Sequence, residues 1–159
     1  MPGQDDDIRH GEVIVAMPEP YDAGLWFIGR IRTPWTGRWQ CPRQGDPLAG
    51  PDCRIELDPR WLPALTGLEP DRPIQLLYWM DAARRDLVLQ RPRGRTEPVG
   101  TFSLRSPARP NPIASSVVQL LAIDGPVLTV RGLDCLDGTP LLDIKPTGFG
   151  HGTGWHITN

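Results

Sequence analysis

The chain has 159 residues, 39% hydrophobic and 23% charged, enough for one ordinary domain with a buried core, and no apolar run reaches transmembrane length. Nineteen prolines and seventeen glycines disfavour long helices, while six tryptophans and several apolar runs argue against pervasive disorder. A net charge of −2 excludes a polycation that coats nucleic acid indiscriminately.

Residues 1–24 hold Asp5, Asp6, Asp7, Glu12, Glu19 and Asp22 against Arg9 alone, and read as an acidic N-terminal arm with one short strand over Val13–Ala16. The opening MPGQDDDIRH lacks the basic-then-apolar order of a signal peptide, so a cytoplasmic protein is expected. Leu25 to Ile31 is an apolar run of strand length, closed by Pro34. Residues 33–53 are turn-rich and form a long loop, a length that in compact domains usually carries function or disorder. Arg54–Leu57 alternates as a half-buried strand does. Pro59–Leu65 suits a short helix with Asp58 as N-cap and Gly67 as the stop.

Ile74–Met80 reads as a buried strand, with Asp86–Arg91 as its antiparallel neighbour, and Val99–Leu104 as a further strand. The clearest hairpin is Ser116–Ile123 and Val127–Arg131 around Asp124-Gly125-Pro126. Leu141–Lys145 is the last strand, stopped by Pro146. Seven or so short strands predict an all-β fold, a small antiparallel barrel with one or two short helices.

Cys41, Cys53 and Cys135 are an odd set without a C-x-x-C pair, which predicts reduced thiols and neither a disulfide framework nor a zinc site. In the tail, residues 148–159, glycines recur at every second position from Gly148 to Gly154. That spacing is not G-x-G-x-x-G, and His151 and His156 are not assigned a metal.

Two segments carry candidate chemistry. In RSPARPNPI (105–113) three prolines fix the backbone around Arg105, Arg109 and Asn111, either a rigid polar cradle or a surface turn whose arginines pair with nearby acids. Between 84 and 109, Arg84, Arg85, Arg91, Arg93, Arg95, Arg105 and Arg109 face only Asp86 and Glu97, a charge excess that attracts phosphate or carboxylate. In LDCLDGTPLLDIKP (133–146), Asp137-Gly138 is a turn pair. Asp143 shares one strand face with Lys145, the only lysine, which makes either a site wall or an exposed ladder.

PVGTFSLRSPARPNPIASSVVQL (98–120) together with LDCLDGTPLLDIKP (133–146) resembles the signature of the TrmO/TsaA-like family of β-barrel S-adenosylmethionine-dependent methyltransferases, and IGRIRTPW (28–35) and PRQG (42–45) resemble its N-terminal motifs. The resemblance covers roughly residues 25–146, so a barrel domain over 25–147 is expected. It implies a homodimer with S-adenosyl-L-methionine near the subunit interface and, in the best-known branch, N6-methylation of threonylcarbamoyl-adenosine at position 37 of certain tRNAs. Carried onto this chain, it implies cofactor contacts at Pro42, Arg43, Gln44, Asp81, Arg105, Leu136, Asp137, Gly138 and Thr139. Methyl transfer from a sulfonium needs positioning more than a protein nucleophile, with Asp134, Asp137 or Asp143 open as proton acceptor. Arg91, Arg93, Arg95, Arg109 and Asn111 are the candidates for substrate contact. Two alternatives stay open: a methyltransferase for a small metabolite, and a non-catalytic RNA-binding barrel of OB type that uses Trp35, Trp39 and the arginines of 84–95.

Overall fold

A computed structural model describes residues 8–148. Nine strands follow in chain order: β1 (Val13–Ile14), β2 (Gly29–Arg32), β3 (Asp52–Leu57), β4 (Pro73–Trp79), β5 (Leu87–Gln90), β6 (Val99–Gly100), β7 (Ile113–Asp124), β8 (Val127–Arg131) and β9 (Pro140–Pro146). Short 3-10 helices occupy Arg38–Gln40, Pro59–Leu65 and Thr101–Ser103. The elements fall into two compact units, one from residues 25–79 and 114–148, the other from 8–24 and 80–113.

The first unit is a closed antiparallel barrel in the order β2-β3-β8-β7-β4-β9. Side-chain alternation dictates its inside: β3 buries Cys53, Ile55 and Leu57, and β4 buries Ile74, Leu76 and Tyr78, while the intervening residues are half-buried or exposed. Ile31, Leu120, Leu128, Val130 and Leu141 complete an interior without solvent exposure. Register shifts between Leu77 and Tyr78 and between Leu120 and Ala122 mark bulges, which add the local bend a small closed barrel needs. In the β7–β8 hairpin Asp124 faces Val127, so the turn is Gly125-Pro126, with Gly125 at φ +56.

The second unit is a three-stranded sheet, β1-β5-β6. Residues 8–24, expected as an arm, supply its first strand, and Val15 N adds a bond to Asp86 O at 2.9 Å. Three expectations are corrected. β5 pairs with β1 and β6 instead of β4. The strand expected over Val99–Leu104 ends at Gly100, because Thr101 turns inward, buried, to bond Leu87 O at 2.8 Å. The strand expected from Leu25 begins at Gly29, and Leu25, Trp26 and Phe27 are exposed. The 59–65 segment is a 3-10 helix, with Asp58 accepting from Arg60 N at 3.0 Å as foreseen. No helix among the described residues is long and apolar enough to cross a membrane. His151, His156 and most of the glycine-rich tail lie outside the described residues.

Candidate active site

In the barrel unit, the strand-end segment 133–139 and the loop 42–45 are held together by backbone. Gly45 packs directly on the Gly132 carbonyl, so a β-carbon at position 45 has no room. Gly132 in turn takes φ +116 against Pro47. Pro42, Arg43 and Gln44 precede this contact on the same loop, and Leu136, Asp137, Gly138 and Thr139 follow Gly132 a few residues along the chain. The next stretch of loop folds on itself: Asp46 Oδ1 accepts from Leu48 N at 2.8 Å and Ala49 N at 2.9 Å, bonds that hold the carboxyl below its ordinary range.

The turn at 136–139 is fixed from both sides. Asp137 N donates to Trp35 O at 2.7 Å, Gly138 N to Ile31 O at 2.8 Å, and buried Thr139 closes the turn through Oγ1 to Leu136 O at 2.7 Å. Gly138 takes φ +81, a conformation that a side chain would strain. The Asp137 carboxylate accepts from Thr33 N at 3.2 Å and lies 3.9 Å from Arg32 Nη1, while Arg32 Nε also meets Glu56 at 2.9 Å.

The three candidate carboxylates have different surroundings. Asp143 is ion-paired to Lys145 at 2.9 Å on partly exposed β9. Asp137 sits in the Thr33–Arg32 frame. Asp134 is half-buried, and its Oδ1 accepts from the Tyr78 hydroxyl at 2.8 Å, which also bonds Ser116 Oγ at 2.7 Å. Tyr78 is 2% exposed. Burial first, then the nearby Asp134 charge, push its phenol pKa well above the ordinary value, so it is a fixed proton donor. Burial also pushes the Cys135 thiol up to about 12 and the Cys53 thiol to about 11, which leaves neither as a thiolate nucleophile at neutral pH.

The sheet unit holds a cleft of about 520 Å³ bordered by Arg9, Glu12, Arg84, Arg91 and Arg105. Arg84 is matched by Asp86 in a bidentate pair at 2.7 and 2.9 Å. Glu12 accepts from Arg9 N at 3.0 Å and Arg91 N at 2.9 Å. Partial burial opposes its charge, yet those amides, helped by the Arg9 and Arg84 charges, hold its pKa below the ordinary value. Gln90, also on the cleft and buried, donates to Thr101 Oγ1 at 2.9 Å and Ala108 O at 2.6 Å.

Other expected substrate residues hold their own loops. Arg109 donates to Leu104 O at 2.9 Å and Ser106 O at 3.0 Å, and Asn111 Oδ1 accepts from Arg85 at 3.1 Å. Arg93 and Arg95 are exposed on a turn closed by Arg95 N to Pro92 O at 3.1 Å. Asp81 is exposed in the same unit. Sequence reasoning missed Tyr78, Ser116, Arg9, Glu12 and Gln90. Of these, Tyr78 alone had a visible signal, a hydroxyl within a mostly apolar strand. Among the described residues no group of three or more His, Cys, Asp or Glu is placed to hold a metal ion.

A small antiparallel barrel with two docked turn segments at one strand end defines a class of binding domain, and comparison supplies the family. Residues 30–148 match the tRNA-methyltransferase O N-terminal domain, and the chain belongs to that family. It is 52% identical over 139 residues to "Probable S-adenosyl-L-methionine-binding protein VirR" of Rhizobium radiobacter, an alignment covering 87% of this chain and 79% of that protein. It is 42% identical over 118 residues to an S-adenosyl-L-methionine-binding protein of Archaeoglobus fulgidus, covering 74% and 84%. The crystal structure of TrmO from Pseudomonas aeruginosa superposes with a TM-score of 0.64 at 34% identity, over 80% of this chain and 57% of that one. A second TrmO crystal structure gives 0.65 at 35%, over 80% and 58%. The chain thus spans little more than half the length of the solved TrmO chains.

Proposed function

We propose that this protein is an S-adenosyl-L-methionine-dependent methyltransferase whose acceptor is the exocyclic N6 of threonylcarbamoyl-adenosine at position 37 of tRNA. What supports the cofactor half is the close packing of Gly45 on the Gly132 carbonyl, which joins the loop that starts with Pro42, Arg43 and Gln44 to the chain that leads into Leu136 to Thr139, residues that the family resemblance assigns to the cofactor. The same resemblance adds Asp81 and Arg105, with Arg105 as the partner of the cofactor's carboxylate.

In the reaction the N–CH₃ bond forms as the S–CH₃ bond breaks, the electron pair stays on sulfur, and the nitrogen's proton passes to a carboxylate. The Asp137 and Gly138 amides are committed to the Trp35 and Ile31 carbonyls and the Thr139 hydroxyl to Leu136 O, so the turn is rigid before any ligand arrives. What supports an anionic substrate is the charge of the sheet unit's cleft, where Arg9 and Arg91 outnumber Glu12 while Arg84 is matched by Asp86. Arg91, Arg93 and Arg95 are the proposed phosphate contacts. Exposed Trp26, Trp39, Leu48 and Phe102 support the further proposal that the chain acts as a homodimer, which sedimentation at micromolar concentration tests by the presence or absence of a two-chain species.

Labelled methyl transfer to unfractionated tRNA tests the acceptor. The expected product is an N6-methylated nucleoside that is missing from tRNA of a deletion strain. Replacing Arg91, Arg93 and Arg95 together should raise the tRNA KM and flatten its salt dependence while cofactor affinity holds. Cofactor binding without transfer to tRNA would remove tRNA and keep the methyltransferase.

A further inference from the structure

We propose that Asp134 supplies the negative charge that receives the sulfonium of S-adenosylmethionine, and that Tyr78 and Ser116 are the positioning residues that hold it there. The inference rests on the cofactor reading given above and takes Asp134 out of the set of proton acceptors.

The argument starts from charge compensation. Asp143 has Lys145, and Asp137 has Arg32 and the Thr33 amide. Asp134 has no cationic partner among the described residues; its contact is the neutral Tyr78 hydroxyl. A phenol has one proton to give, and here it goes to the carboxylate. The Ser116 hydroxyl must therefore donate to the phenol oxygen. Donation runs one way, Ser116 to Tyr78 to Asp134, and each donor polarises the next. The chain anchors Oδ1 and leaves Oδ2 unclaimed among the described residues. A half-buried carboxylate without a cation is costly, and a cationic ligand offsets that cost.

The cofactor carries two cations. Its ammonium has three N–H donors and needs acceptors and water. Its sulfonium has no N–H or O–H to donate, and is stabilised by charge in soft, poorly hydrated surroundings. Asp134 lies between Leu133 and Cys135, which are 2% and 1% exposed, and next to Tyr78. The Cys41 thiol, which contacts Gly37 O at 3.8 Å, is within reach of its charge: burial raises that thiol's pKa, and the Asp134 charge raises it further. The neighbouring Cys135 carbonyl accepts from the Thr33 hydroxyl at 2.8 Å, which uses one of its two lone pairs. These surroundings match the sulfonium. Once the methyl group leaves, sulfur is a neutral thioether and the attraction disappears, which favours release of S-adenosylhomocysteine over loss of the substrate.

Calorimetric titration of S-adenosylmethionine and S-adenosylhomocysteine into the full-length protein and its Asp134→Asn, Tyr78→Phe and Ser116→Ala variants tests this. Asp134→Asn keeps an oxygen for Tyr78 to bond, so the fold is retained. Its affinity for S-adenosylmethionine should fall roughly tenfold or more, the size of one lost charged contact, while affinity for S-adenosylhomocysteine stays unchanged. Tyr78→Phe should shift the ratio of the two affinities in the same direction by a smaller factor, and Ser116→Ala by less again. Equal weakening for both ligands would place the charge at the ammonium and overturn the assignment, as would no weakening for either. A wild-type protein that binds neither ligand would overturn the cofactor reading itself, and the inference with it.

Discussion

Inside the barrel, Ile31, Ile55, Leu76, Leu120 and Leu128 have no exposure, whereas in the 8–24 and 80–113 unit Leu87 is the buried leucine and it sits with Gln90 and Thr101. One region is stabilised by apolar burial around a closed ladder. The other is stabilised by directional bonds: Gln90 to Ala108 O, Arg109 to two carbonyls of its own loop, and Glu12 to two amides. The difference shows how one short chain can carry both a rigid frame and a charged surface. Burial fixes the frame, while arginines that close their own loops keep the surface ordered without an apolar core of comparable size.

The comparison breaks most visibly in the barrel. Leu76→Ala should cost about 2–5 kcal/mol in chemical denaturation, since a wholly buried leucine leaves a cavity that the ladder cannot collapse. Gly45→Ala should follow at about 1–3 kcal/mol, because its new methyl meets the Gly132 carbonyl, and S-adenosylmethionine affinity should fall with it as the two segments part. An unchanged affinity in that variant would separate the 42–45 loop from the site.

In the sheet unit, Gln90→Ala should cost about 1–3 kcal/mol by leaving the Ala108 carbonyl unpartnered, and faster amide exchange should be confined to residues 101–109. The smallest effect concerns pH. Glu12 has a depressed pKa, so its stabilising bonds are fully present above its ordinary value of 4.5 and are lost as pH falls through the lower folded value. The Arg9 and Arg91 amide signals should titrate together below that ordinary value, and Glu12→Ala should abolish the step.

The same division explains what was legible in the sequence. Strand β3 was readable from its alternation, β4 and β9 as short runs bounded by turn residues, and β7 and β8 as β-branched runs, while Asp58 and Gly125 announced their turns. The partner of β5 was not readable, since Leu87–Gln90 carries a strand pattern without saying which edge it joins. The strand expected after Val99 failed at Thr101, whose hydroxyl found a backbone carbonyl far along the chain. In the candidate site, segment 133–139 was visible as an Asp-Gly turn ahead of a charged strand, and 42–45 through the family resemblance alone. The Ser116–Tyr78–Asp134 chain was not, because it joins residues 38 and 56 positions apart that lie together only once the barrel closes.

The central claim is that this protein binds S-adenosylmethionine, and titration calorimetry of the wild-type protein against Arg105→Ala measures it directly. The account predicts saturable binding with one cofactor per chain, weakened roughly tenfold or more in the folded variant by loss of one charged hydrogen bond. Folded wild-type protein that shows no binding heat with millimolar cofactor would contradict it.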